Sequence, residues 1–240
     1  MKNCYQRQNK LLETLVTIEV SLVLHPTMAD FDTGLRIKEK ARDLFMQYGL
    51  RSVSMDDIAG NLGMSKKTIY QYYADKDELI VAVINKELEH NQATCERDRA
   101  SSDNAVHEIF LAMDMVVELF STMNPSLIFD MQKYHPNAYL KFLQHKNDFL
   151  YNSIRDNIAR GIREGLYRED INLDIMARYR VESVMLPFSP EFHAKLKYNL
   201  VQIEEELIIH YLFGLASPKG YKLILKYQQE RINLNNNGKK

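Results

Sequence analysis

Residues 53–79, VSMDDIAGNLGMSKKTIYQYYADKDEL, constrain the fold more than any other stretch of the chain. Ser54 with Asp57 three residues on makes a capping-box-like pair, Asp replacing the usual Glu, and opens a helix whose Ile58, Ala59 and Leu62 face inward. Gly63 makes the turn, and Ser65 caps a short helix running to about Tyr73. Asp75 with Glu78 forms another box that starts a long helix through Leu79, Val83, Ile84 and Leu88. Two short capped helices joined at a glycine, the second crowded with basic, hydroxyl and aromatic side chains, are what a helix-turn-helix needs to set one helix in a DNA major groove.

The rest of the chain reads as helix too. Upstream, Ile37, Ala41, Leu44, Phe45 and Tyr48 fall on one helical face that Gly49 stops. Downstream, glycine is scarce, proline sits at segment edges and no stretch alternates β-branched residues, so the fold class is all-α. Further helices are expected near 103–123, 125–134, 136–164, 172–186, 197–215 and 218–231. Asn124-Pro125 and Ser217-Pro218 each read as an N-cap followed by Pro at the first helical position, and Gly165 as a stop. This gives a three-helix DNA-binding domain over 31–80, joined by the fourth helix to a larger helical region over 81–232, with a polar, Asn-rich, disordered tail at 233–240.

With 240 residues and a net charge of −1, the chain has ample apolar content for real cores but no overall pull toward nucleic acid, so any DNA-binding charge must be local. The apolar run from Leu11 to Leu24 is broken by Glu13 and Glu19 and lacks a cleavage site, so it reads as neither signal peptide nor membrane span. Residues 1–30 form an extension. Residues 1–27 are either an upstream over-reading of the gene, with Met28 the start, or a native helix that packs on the body or adds a DNA arm. Cys4 and Cys95 have no metal-type neighbours and suit a reducing cytoplasm, and the histidines lack metal-ligand spacing, so no metal and no cofactor are expected. There is no G-x-S-x-G elbow, phosphate-binding Gly loop or catalytic carboxylate pair, so nothing supports an enzyme.

The pattern from Ile37, Ala41, Leu44 and Phe45 through Gly49, Ser54 to Ala59 and Leu62-Gly63, then Ser65, Thr68-Ile69-Tyr70, Tyr72-Tyr73, Lys76 and Leu79 resembles the TetR family of bacterial transcription regulators. Lys67 departs from it, standing where a small residue or Pro is frequent. The resemblance implies a homodimer that presents two helix-turn-helices to double-stranded operator DNA. It further implies that the C-terminal helices dimerise and enclose a small-molecule site.

Within that frame, Lys66, Lys67 and Gln71 are long enough to read base edges, and Thr68 to meet a thymine methyl or a phosphate. Tyr70 and Tyr72 offer hydroxyls, while Ser54 and Lys76 stand at helix starts where a phosphate is favoured. Tyr73 reads as core. The Met- and Phe-rich segment from 105 to 155 supplies candidate walls for a mainly hydrophobic effector, with Phe110, Met113, Phe129, Tyr134 and Phe149 as candidate ligand residues. No buried charge constellation is visible there. Ile175, Tyr179, Ile203, Leu207 and Tyr211 are candidates for a two-fold dimer interface, and the loop from Pro187 to Phe192 for movement on ligand binding. The expected function is repression from a palindromic operator, relieved by the effector. Alternatives are an activator of the same fold, or a helical ligand-binding protein that no longer engages DNA.

Overall fold

The computed structural model describes residues 28–189, residue 192 and residues 197–237, with side chains described from 32 to 233 within those bounds. The readings of residues 1–27, and part of the loop from Pro187 to Phe192, lie outside the described residues.

Among the described residues the regular structure is helical, apart from one isolated antiparallel bridge between Tyr167 and Ala216. Helix α1, Met28–Tyr48, ends where Gly49 takes a left-handed φ of 82° and donates its N–H to the Phe45 carbonyl at 2.9 Å. Helix α2, Met55–Leu62, begins at Ser54 with both capping-box bonds formed and ends at Gly63, φ 65°. Helix α3, Lys66–Tyr70, is shorter than expected; residues 71–73 leave it as a turn. Helix α4, Lys76–Ser101, is capped by Asp75, but the second box closes differently, since Glu78 accepts from the Ala74 N–H at 2.6 Å, one residue before the cap.

The body follows as α5 Ala105–Thr122, α6 Leu127–Tyr134, α7 Pro136–His145, α8 Tyr151–Arg163, α9 Leu173–Ser183, α10 Leu200–Leu215 and α11 Pro218–Asn237. The helix expected over 136–164 is continuous but wound as a π-turn at Lys146–Leu150 between α7 and α8, and Gly165, φ 67°, stops it. Two boundaries differ from expectation for local reasons. Asn124 does not cap a helix at Pro125; its side-chain oxygen accepts the Ser126 N–H at 3.0 Å in an Asx turn, and α6 starts later. The tail expected to be disordered from 233 is helical through Asn237, because α11 has turns behind it to propagate from. Ser217 does cap α11 ahead of Pro218, accepting from Gly220 N–H at 3.1 Å. No described helix is long and apolar enough to cross a membrane.

Two cores result. Ile37, Ala41 and Phe45 of α1 pack with Ile58, Ile69, Tyr73, Leu79 and Val83, and the same cluster continues into Leu127, Ile128 and Met131 of α6. The helix-turn-helix head therefore shares its core with the body instead of hanging from it by a linker. The second core joins α5, α8, α9, α10 and α11 around Phe110, Ile158, Tyr167, Val181, Leu212 and Ile224.

Candidate nucleic-acid interface and the cavity behind it

Helix α3 turns its apolar Ile69 into the first core and leaves Lys66, Lys67, Tyr70 and Gln71 exposed together. Lys66 Nζ is paired with Asp56 Oδ2 at 2.7 Å, which holds the ammonium above its ordinary range, and lies 6.0 Å from the Tyr70 ring centroid. A phosphate reaching Lys66 would exchange one exposed carboxylate for another anion. Thr68 is half-buried, its hydroxyl 2.8 Å from that of the cap Ser65.

Three of the expected DNA contacts are turned to other work. Ser54 donates its hydroxyl proton to Asp57 Oδ2 at 2.6 Å and its N–H to the same oxygen at 2.7 Å, so both of its donors are spent on the cap, and the Asp57 carboxyl lies below its ordinary range. Tyr72 is half-buried, its ring packed on Gly34 of α1, where an added Cβ would meet ring carbon Cδ1 at 3.3 Å. Lys76 is corrected most clearly: its Nζ donates to the Leu50 carbonyl at 2.6 Å, over the Phe45 ring, and burial lowers its pKa against the pull of Asp130 and Asp77. The Leu50 carbonyl follows the Gly49 turn that ends α1, and the ammonium supplies the partner a buried carbonyl needs. Tyr73 is core as expected, its hydroxyl donating to Gly34 O at 3.1 Å.

Behind the head, the start of α6 is fastened to the end of α1. Asn124 donates its N–H to Met46 O at 2.6 Å and its side-chain amide to Gln47 O at 3.2 Å. The buried Asp130 carboxylate accepts from Arg51 N–H at 3.2 Å, and His135 Nδ1 lies 2.6 Å from Asp77 Oδ1 at the start of α4.

The opposite side of α6 is apolar, and Leu127, Ile128 and Met131 line a cavity of about 230 Å³. Helices α4, α5, α7, α8, α9 and α10 and the π-turn contribute the other walls, among them Leu88, Phe120, Phe142, Phe149 and Ile208. Of the five residues expected to bind ligand, Phe149 is in this lining. Phe110 and Met113 are buried, but they line a separate, more open cleft of about 690 Å³ between α5, α10 and α11. Phe129 and Tyr134 are exposed beneath Lys133, whose Nζ stands 5.4 and 5.3 Å from their rings. The helical period explains Phe129: positions 127, 128 and 131 take the inner face of α6 and turn 129 outward, whereas Tyr134, the last residue of the helix, lies over that same face and is drawn outward beside Arg51 and Lys133.

The cavity also holds a feature the sequence reading missed. Arg180 of α9 and Glu204 of α10 form a buried ion pair on its wall beside Tyr211, and Arg180 adds a hydrogen bond to Ser183 Oγ at 3.1 Å. The usable signal was a charge inside an apolar stripe: Glu204 lies four residues after Leu200 and four before Ile208. Among the expected dimer residues, Ile175 and Tyr179 are exposed on α9 and Leu207 is half-buried, whereas Ile203 and Tyr211 are buried within their own chain. Cys95 lies on the cavity wall with its thiol 3.9 Å from Met115 Sδ, and burial pushes its pKa up to about 11. At pH 8 Cys95 is therefore expected to react with iodoacetamide at least tenfold more slowly than free cysteine, as peptide mass mapping over time will read.

A capped helix-turn-helix with exposed lysines thus shares its core with a helical body that carries a mainly apolar cavity. Residues 37–83 match the family model described as "Bacterial regulatory proteins, tetR family". The chain is 24% identical over 192 residues to the uncharacterized HTH-type transcriptional regulator YvaF of Bacillus subtilis, spanning 77% of this chain and 96% of that relative. It is 22% identical over 144 residues to the HTH-type transcriptional repressor KstR2 of Mycobacterium tuberculosis, spanning 59% and 72%. The fold is similar to that of the transcriptional regulator FadR from Bacillus subtilis, crystallised in complex with stearoyl-CoA, with a TM-score of 0.55, 15% identity and coverage of 75% of this chain and 98% of that one. Residues 37–83 are thus a DNA-binding head of the tetR family, carried on a chain similar along most of its length to HTH-type transcriptional regulators.

Proposed function

We propose that the protein is a cytoplasmic homodimeric repressor that occupies a roughly palindromic operator and leaves it when a small, mainly hydrophobic effector enters the α6 cavity. The observation that carries this reading is the double use of α6, whose inner face is cavity wall and whose start is hydrogen-bonded to the end of α1. An occupant that displaces Ile128 or Met131 must also move the Asn124 and Asp130 contacts that set the head, which gives the two sites a physical coupling. A coupling of about 1–3 kcal/mol changes operator affinity roughly 5- to 150-fold. The repressor name of KstR2 and the bound stearoyl-CoA of FadR support the same direction. The exposed faces of Ile175 and Tyr179 are the part of α9 free to meet a second copy.

A gel-shift titration with the protein's own upstream DNA, shuffled competitor and varied salt tests the reading. A discrete shift that survives competitor supports it; no preferential shift there, nor in selection from a random library, overturns it. Gln71→Ala is expected to relax preference at one base position by about 1–3 kcal/mol, with binding to random DNA little changed. Lys76→Ala is expected to leave the salt slope unchanged, because its ammonium is bonded to Leu50 and not free for a phosphate.

A further inference from the structure

Helices α2 and α3 are joined on their outward side by an exposed ion pair. Met55, Ile58 and Ala59 of α2 and Ile69 of α3 are buried, which leaves Asp56 and Lys66 on the solvent side of the head. Their side chains are 66% and 44% exposed, with Lys66 Nζ 2.7 Å from Asp56 Oδ2. Tyr70, one turn on from Lys66, holds the ammonium over the exposed side of α3. The second oxygen of Asp56 has no partner among the described residues, and the ammonium keeps two further protons to donate. The neighbouring Asp57 differs, because its carboxylate closes the Ser54 cap. Residues 53–73 set these two aspartates against Lys66 and Lys67, so the helix-turn-helix is electrically neutral and presents an acceptor beside a donor instead of a block of positive charge.

Resting on the operator reading above, we infer that the Asp56–Lys66 pair reads one oriented base pair as a unit, Lys66 donating to guanine O6 and N7 and Asp56 accepting from the cytosine N4 amino group. In the major groove a G·C pair sets the O6 acceptor beside the N4 donor, and the hydrogen bond between them fixes their spacing at about 2.9 Å. The 2.7 Å between Lys66 Nζ and Asp56 Oδ2 is a matching step with donor and acceptor exchanged. A C·G pair in the same place brings an amino group against the ammonium and a carbonyl against the carboxylate, and A·T does the same. T·A matches in sign, but it offers the ammonium one acceptor and puts a methyl group where guanine has N7. An exposed ion pair contributes little to folding, so its replacement is read in base preference.

The test is selection from a random double-stranded DNA library by the full chain, followed by titration of the selected site with each of the four base pairs at every position. Wild-type protein is expected to prefer G·C at one position in each half-site about tenfold over C·G, with T·A between them. Asp56→Ala is expected to shrink that preference severalfold while the rest of the selected sequence stays. Exchanging the charges, Asp56→Lys with Lys66→Glu, is expected to move the preference at that position to C·G, which a pair serving only the fold would not do. If the exchanged protein selects no site, Asp56→Ala decides alone. Variants that keep the wild-type preference at every position overturn the paired readout and leave the operator reading standing. A wild-type protein that selects no site overturns the operator reading and this inference with it.

Discussion

Glu204→Leu is expected to destabilise the protein by about 3–5 kcal/mol, and adding Arg180→Met to the same chain is expected to return most of that loss. Glu204 is almost fully buried and Arg180 nearly so, and the carboxylate is the one acidic partner of the guanidinium among the described residues. Removing it leaves a full positive charge in an apolar wall with only Ser183 Oγ and the Tyr211 ring to receive it. Removing both charges leaves apolar side chains of similar length against Ile208 and Val184, which line the same cavity. Burial raises the Glu204 carboxyl above its ordinary range, with Arg180 pulling the other way. Its contribution is thus fully present below the unfolded carboxylate pKa and lost as pH rises through the raised folded value, so the ionised pair is not what makes the protein stable. Urea unfolding of the two single variants and the double variant measures the cycle. A double variant no more stable than Glu204→Leu would show that packing, not the orphaned charge, sets the cost.

The head was legible in the sequence because its determinants are local. Ser54, Gly63, Ser65 and Asp75 act on backbone groups within a few residues of themselves, and the structure places a cap or a left-handed turn at each. What those motifs do not encode is where a long side chain finds its partner. Lys76 reads as a phosphate donor until the Leu50 carbonyl, twenty-six positions upstream, is seen beside it. The cavity was less legible for the same reason. On α9 the apolar stripe read from the sequence ran through Ile175 and Tyr179, but the buried face is Ala177, Arg180 and Val181, rotated away from it. An apolar stripe meant for a partner copy and one meant for the chain's own core look alike in one dimension, and a buried Arg hides the true core face. Phe129 and Tyr134 misled in parallel fashion, as aromatic residues whose rings serve Lys133 and Arg51 on the surface.

Gly220→Ala is expected to cost about 3 kcal/mol or more, although nothing in the backbone conformation there requires glycine. The reason is space. A Cβ on Gly220 would stand 1.9 Å from the carbonyl oxygen of Leu166, a backbone atom that no rotamer change can remove. That oxygen already accepts the Ser217 N–H at 2.9 Å, and the same junction holds Ser217 Oγ to Gly165 O at 2.8 Å and Arg168 N–H to Leu215 O at 2.9 Å. Relieving the clash means lifting the first turn of α11 off the end of α8, which breaks these bonds and loosens Ile224 from the second core. Gly60→Ala on α2 supplies the control: a Cβ there meets nothing within 4 Å, so the exchange is expected to stabilise by about 0.5–1 kcal/mol through the unfolded chain. Denaturation midpoints of the two variants should therefore move in opposite directions from wild type. If Gly220→Ala unfolds within error of wild type, α11 is not seated on Leu166 as the structure has it. The packing of α10 against α11, and with it the open cleft they share with α5, would then need to be redrawn.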